Sequence, residues 1–287
     1  MEEHNQGCSE LEKLEMELLL EGIYRYYGFD FRNYAFSSIR RRVWHRIQAE
    51  GLRTVTSLLD RILHDPHMME KLFSDFSINV TEMFRDPSFF KAFRRQVVPQ
   101  LRELPLIRIW HAGCSTGEEA YSMAILLHEE GLYHKTRIYA TDINDRVLEK
   151  AKLGEFPINR MQGYTSNYVK SGGHKSFSEY YQAHRDFVRF HPFLAENIVF
   201  AQHNLVTDGS FNEFHVIICR NVMIYFNREL QERVQELFYE SLCSEGFLGL
   251  GSREGLSFTR YAEYYEEVDS NERIYRKMTY KSRQRRG

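Results

Sequence analysis

Residues 106–119 read LIRIWHAGCSTGEE, and this stretch decides the fold. The run from Leu106 to Trp110 has the pattern of a short buried strand, and a helix pattern opens at Glu118. Between them the small residues Gly113 to Gly117 let the backbone approach a ligand closely, while the helix N-terminus adds unpaired N–H groups. Three chemistries use such a turn. A dinucleotide fingerprint needs G-x-G-x-x-G, whereas here Gly113 and Gly117 stand four apart with Ser115 between them. Gly113-Cys114-Ser115-Thr116-Gly117 satisfies G-x-S-x-G, the nucleophile elbow of serine hydrolases. The third is the nucleoside-methionine turn of S-adenosylmethionine-dependent methyltransferases, with Ser115 in place of a middle glycine.

Downstream, the segment RIYATDI and a helix from about Asp145 to Leu153 repeat the strand-helix rhythm, which predicts βαβ units and a parallel sheet. Between about 156 and 200 the rhythm is lost; DFVRFH and NIVFAQ read as pieces of an inserted antiparallel segment. It resumes with FHVIICRNVMIYF, a helix from Arg228 to Cys243, the strand GFLGLG, and a closing pair near YAEYYEEV and ERIYRKMTY. Upstream, from Leu11 to about Phe76, apolar residues recur at helical spacing with breaks near residues 28–30, 50–51 and 65–66, so three or four short helices are expected. A further helix is expected from Ser88 to about Leu104, with Asp86 as its N-cap before Pro87.

Position separates the candidate chemistries. An α/β-hydrolase places several strands and an oxyanion-loop signature before its elbow, but here the preceding hundred residues are helical and contain no HGGG run. The methyltransferase reading requires an acid at the end of the next strand, where a carboxylate accepts both ribose hydroxyls. Asp142 in YATDIN stands there, although helix capping is an ordinary use of aspartate. Taken with the glycine loop, ribose binding is favoured.

Several separated motifs carry a resemblance: NVTEMFR at 79–85, GCSTGEEAYS at 113–122, ATDI at 140–143, HNL at 203–205 and CRNVMIYF at 219–226. With these the chain resembles chemotaxis receptor methyltransferases of the CheR type, which methylate receptor glutamates using S-adenosylmethionine. The resemblance implies a small all-helical domain (1–86), then a Rossmann-like methyltransferase domain (87–287) with an inserted antiparallel β-subdomain at about 156–200. It implies that Asn79, Thr81 and Arg85 cover the cofactor, and that Glu118 contacts the methionine amino end. Asp142 would bind the ribose, Asn204 with Leu205 the adenine, and Arg220 with Asn221 would line the pocket floor. The product would be S-adenosylhomocysteine, and the partner the cytoplasmic helical bundle of a chemoreceptor. Some members capture a receptor's C-terminal peptide on the β-subdomain. The stretch YVKSGGHKSFSEYYQAHRDFVRF departs from that pattern, so peptide capture is not carried over.

Methyl transfer to a carboxylate needs no general base, because glutamate, with a reference pKa of about 4.3, is already ionised at neutral pH. It needs alignment and exclusion of water, for which Arg85 as a carboxylate holder and Tyr225 as an orienting phenol are suited. Charge agrees with a protein partner. The net charge of −2 conceals +5 from Gly22 to Arg61, +7 from Arg273 to Arg286 and −14 elsewhere. Near-neutrality excludes a general nucleic-acid binder. The basic run Arg40, Arg41, Arg42 and Arg46 is the expected docking face for an acidic helical bundle, with complementary charge steering encounter. The terminal basic run has no such assignment and reads as a solvated tail. The four scattered cysteines lack C-x-x-C spacing, His64 and His67 in HDPH lack companion ligands, and no metal is expected. An acidic opening segment without an apolar run predicts a cytoplasmic protein with no membrane insertion. Two other functions are weighed: a non-catalytic S-adenosylmethionine-binding adaptor, and a serine hydrolase using Ser115.

Overall fold

Helical periodicity between residues 11 and 76 becomes four helices in the computed structural model, which describes residues 10–76, 81–257 and 259–279. These are α1 (Glu10–Tyr27), α2 (Phe36–Ala49), α3 (Val55–His64) and α4 (Pro66–Phe76). Thr54 caps α3 by accepting from Ser57 N at 3.1 Å. Their apolar faces close on one core, with Leu19, Ile23, Val43, Leu58, Ile62 and Leu72 buried. This is the first of two units, and it includes a distant segment, Tyr225–Gln231. That segment is attached by an antiparallel bridge between Tyr34 and Phe226 and by Ala35 N donating to Tyr225 O at 2.8 Å.

The second unit comprises Asn79–Ile224 and Glu232–Gly287. It opens with α5 (Pro87–Gln96) and α6 (Val98–Leu101). The single helix expected over 88–104 is thus divided, because Pro99 lacks an N–H and its ring opposes a continuous helix. Then come β1 (Ile107–Ala112), α7 (Glu118–Glu129), β2 (Thr136–Asp142), α8 (Asp145–Leu153), β3 (Glu155–Pro157) and α9 (Met161–Lys170). They are followed by β4 (Tyr181–Ala183), β5 (Phe187–Phe190), β6 (Ile198–Gln202), β7 (Phe214–Cys219), α10 (Arg228–Ser241), β8 (Leu242–Leu250), β9 (Tyr265–Asp269) and β10 (Ile274–Lys277).

Among the described residues the main sheet has the order β6-β2-β1-β7-β8-β10-β9. Its first five strands are parallel, whereas β10 is antiparallel to both neighbours. Counting only strands of this sheet, the parallel part follows the doubly wound order 3-2-1-4-5, with its switch point between β1 and β7. β9 therefore runs in the same sense as the parallel strands, and β10 is inserted antiparallel between β8 and β9. Helix α7 is buried nearly all round, which is why AYSMAILL shows no clean apolar stripe.

A separate small sheet, β3-β5-β4, is antiparallel as expected for the inserted segment. One assignment is corrected: NIVFAQ is β6, an edge strand paired in parallel with β2, and not part of the insertion. Its alternating burial is that of a sheet edge, which resembles a half-buried antiparallel strand. Among the described residues no helix is long and apolar enough to cross a membrane.

Candidate cofactor and active site

The loop from Gly113 to Gly117 bends sharply at the C-terminal end of β1. Gly113 and Cys114 both donate their N–H to Thr141 O at 2.8 Å. Gly113 has φ +80°, and a Cβ there would lie 2.4 Å from Val222 Cγ2. Gly117 has φ +92°, and its Cβ would lie 2.9 Å from that of Ala151. Both glycines are therefore required by backbone conformation and by close approach.

Asp142 ends β2 and ties itself to this loop: Oδ2 accepts from Ser115 N at 2.9 Å, and Oδ1 accepts from Asn144 N at 3.0 Å. It does not cap α8; Asn144 does, accepting from Arg146 N at 3.0 Å. Burial raises the pKa of Asp142, with the backbone donors opposing that shift. Glu118, at the first position of α7, is 4 % exposed. It accepts from Thr116 Oγ1 at 2.6 Å and faces the Tyr164 hydroxyl at 3.5 Å. Burial raises its pKa as well, and pushes Tyr164 up to about 12, so the phenol stays a donor. An anion held from water in this way is poised for a cationic ligand group.

Thr81 and Arg85 border a cavity of about 430 Å³ together with Glu82, Asn159, Arg160 and Tyr164. Arg85 lies between two residues in the left-handed region, Phe84 at φ +50° and Asp86 at φ +54°. Such conformations cost on the order of 1–3 kcal/mol each and persist only where the surroundings impose them. Here the constraint is visible. Phe84 N donates to Ser122 Oγ at 2.9 Å, and Arg220 donates to Arg85 O at 3.2 Å and to Asp86 Oδ2 at 2.7 Å. Arg220 also donates to Glu119 Oε2 at 2.9 Å and packs its guanidinium 4.2 Å from the Phe89 ring centroid. Glu119 in turn contacts His111 Nδ1 at 3.0 Å. Burial pushes Glu119 up, but the His111 hydrogen bond and the Arg220 charge outweigh it and hold the pKa below the ordinary value. Asp86 does hold the N-cap position of α5 before Pro87, as expected, but its side chain makes no cap hydrogen bond because its carboxylate is engaged by Arg220.

After β6, Asn204 Oδ1 accepts from Val206 N at 2.9 Å, closing a tight turn that leaves Leu205 buried. Asn221, at φ +62°, begins a turn organised by a buried acid, Glu254. Glu254 Oε2 accepts from Asn221 N at 2.9 Å and Gly251 N at 2.7 Å, and Oε1 from Val222 N at 2.9 Å and Ile224 N at 3.3 Å. Asn79 lies outside the described residues.

Tyr225 belongs to the first unit, where the guanidinium carbon of Arg42 stands 4.7 Å from its ring centroid. Arg42 is 5 % exposed, and its three guanidinium nitrogens have no hydrogen-bond partner among the described residues. Burial lowers its pKa. Arg46 donates to Asp75 Oδ2 at 2.7 Å and to Glu50 at 3.1 Å. These two arginines do not form an open basic face. Arg40 and Arg41 do border an exposed groove on α2 with Trp44, His45 and Gln48, and Arg40 pairs with Glu12 at 2.7 Å.

Sequence reasoning missed Glu119, Ser122, Tyr164 and Glu254. The first was visible as the second acid of GEEAYS, and Glu254 as the acid in the glycine-flanked loop GSREG at the end of β8.

The carboxylate closing β2, the glycine turn that a side chain would fill, and the buried acid opening α7 fit the ribose, backbone approach and ammonium of an adenosylated methionine. On a 3-2-1-4-5 sheet with an antiparallel closing pair, they define an S-adenosylmethionine-dependent methyltransferase. Residues 79–274 match the family model described as the CheR methyltransferase SAM-binding domain, and residues 14–77 match that of the CheR methyltransferase all-alpha domain. The chain belongs to the CheR methyltransferase family. It is 49 % identical over 264 residues to a Pseudomonas putida protein named as methyltransferase Cher3, covering 92 % of this chain and 97 % of that one. It is 30 % identical to the chemotaxis protein methyltransferase of Listeria monocytogenes, covering 79 % and 84 %, and 27 % identical to that of Escherichia coli, covering 82 % of each. Neither the adaptor nor the Ser115 hydrolase is favoured by this membership.

Proposed function

We propose that this chain transfers a methyl group from S-adenosylmethionine to glutamate side-chain carboxylates of chemoreceptors in the cytoplasm, yielding methyl esters for sensory adaptation. The observation that carries the carboxylate acceptor is the clamped Arg85. Arg220 holds the Arg85 carbonyl and the neighbouring Asp86, and Ser122 holds the N–H of Phe84 on the other side, so the backbone of Arg85 is set on a cavity wall from which a guanidinium can fork onto a carboxylate. The names of the relatives agree with this reading.

Bound S-adenosylmethionine supplies an electrophilic methyl group on a sulfonium. Asp142 holds the ribose, Glu118 the methionine ammonium, and Asn204 with Leu205 the adenine edge, while Thr81 and Asn221 complete the enclosure. Arg85 holds the acceptor carboxylate; Tyr225, near the end of CRNVMIYF, is retained as a catalytic candidate through its hydroxyl. Arg42 beneath the ring adds a cation without an acceptor, which makes that pair suited to an anionic side chain. Neither Arg85 nor Tyr225 moves a proton, because the acceptor is already ionised. Arg40 and Arg41 in the α2 groove steer the acidic receptor bundle, and Arg46 braces α2.

The test is incubation of the pure protein with methyl-labelled S-adenosylmethionine and receptor cytoplasmic fragments. Label that enters the fragment and leaves in mild base identifies a carboxyl ester. Base-stable label, or none with an active cofactor preparation, removes the glutamate assignment.

A further inference from the structure

The cavity beside Glu118 carries a charge pattern that the assignments above leave incomplete. Its described lining includes two guanidinium groups, Arg85 and Arg160, and one carboxylate, Glu82. Behind Tyr164 lies a second carboxylate, Glu118. S-adenosylmethionine carries a sulfonium, an ammonium and a carboxylate, and the acceptor glutamate brings another carboxylate. Two carboxylates must therefore be met by cations, and Arg85 is one group for two tasks.

We propose that Arg160 holds the α-carboxylate of the cofactor's methionine end, leaving Arg85 to the acceptor. The assignment rests on the methyltransferase reading and deepens it. Ammonium and carboxylate of an α-amino acid share one carbon, so their protein partners must be neighbours. Arg160 meets that condition through a single residue: it lines the same cavity as Tyr164, whose hydroxyl faces Glu118 Oε1 at 3.5 Å, and its charge is felt by both Tyr164 and Glu118. The guanidinium is anchored, as Arg160 donates to Thr81 O at 3.2 Å. Arg85 is held by a different set, Arg220 and its partners, so the two cations are positioned independently. Arg160 is the exposed N-cap residue just before α9, where replacement disturbs no core packing.

The experiment is a cycle between protein and ligand, read by calorimetry on the full chain. Arg160→Ala should bind S-adenosylmethionine roughly 10- to 100-fold more weakly, the range for loss of one charge-assisted hydrogen bond. Decarboxylated S-adenosylmethionine lacks the group that Arg160 contacts. Its affinity should be the same for wild type and Arg160→Ala, and Arg160→Lys should recover part of the loss for the parent ligand only. Equal weakening of both ligands would make Arg160 a structural brace and overturn the proposal. Unchanged binding of S-adenosylmethionine together with a raised KM for the receptor fragment would also overturn it, transferring Arg160 to the acceptor. Wild-type protein that binds neither ligand overturns the methyltransferase reading itself, a result distinct from either of these.

Discussion

Replacing Glu254 by glutamine tests how far the turn after β7 depends on one buried acid. The two carboxylate oxygens accept four backbone N–H groups, two at each oxygen, from Asn221, Gly251, Val222 and Ile224 at 2.7 to 3.3 Å. A glutamine offers an oxygen at one of these positions and an NH2 group at the other. Whichever way it turns, two buried donors then face a donor. At about 1–3 kcal/mol for each buried donor left without a partner, the loss is about 2–6 kcal/mol. Burial, the largest influence on Glu254, raises its pKa, so removing the charge returns part of the desolvation penalty. The net destabilisation expected is about 2–4 kcal/mol, which for a unit of this size lowers Tm by roughly 5–15 °C. Differential scanning calorimetry of ligand-free Glu254→Gln and wild type at pH 7.5 reads the difference, with urea titration checking that the m-value is unchanged. A variant melting within about 2 °C of wild type, or above it, would refute the four-donor argument.

Glu118→Gln should separate stability from binding. A carboxylate whose folded pKa is raised contributes stability below its unfolded pKa and loses it as pH rises through the folded value. The glutamine variant should therefore melt above ligand-free wild type at pH 8, with the gap closing toward acid, while its affinity for S-adenosylmethionine falls at least tenfold, as measured by calorimetry. In wild type, that affinity should itself decline as acid protonates Glu118. Tyr225→Phe should lower kcat about 10- to 100-fold with cofactor affinity unchanged; wild-type turnover would remove Tyr225 from the mechanism. Reversing Arg40 and Arg41 to glutamate should raise KM for a receptor fragment roughly 5- to 20-fold at low salt and flatten its salt dependence, as read by initial rates.

The strand-helix alternation was legible because each parallel strand is a short apolar run, and α8 spans the residues that its pattern indicates. The loop and Asp142 were legible because a turn that binds nucleosides needs small residues and an acid at fixed places along one βαβ unit. Networks were not. Arg220 and Glu119 are 101 residues apart, and Glu254 is 33 residues from Asn221, so no local pattern pairs them. The N-cap position of Asp86 was legible because capping is local, whereas the partner of its carboxylate is 134 residues away. Helical spacing placed Arg42 and Arg46 on a common face of α2 but could not say which face is covered. That depends on Tyr225 for Arg42 and on Asp75 for Arg46.

The membership of Tyr225–Gln231 in the helical unit bears on the order in which the chain can mature. On a ribosome the four helices emerge first, but the ring that covers Arg42 and the strand-like partner of Tyr34 follow roughly 150 residues later, at least several seconds at ordinary elongation rates. Until then the nascent bundle carries an uncovered guanidinium in its wall. A fragment ending at residue 78 would keep that defect permanently, so the helical unit becomes complete only once most of the methyltransferase sheet has been synthesised.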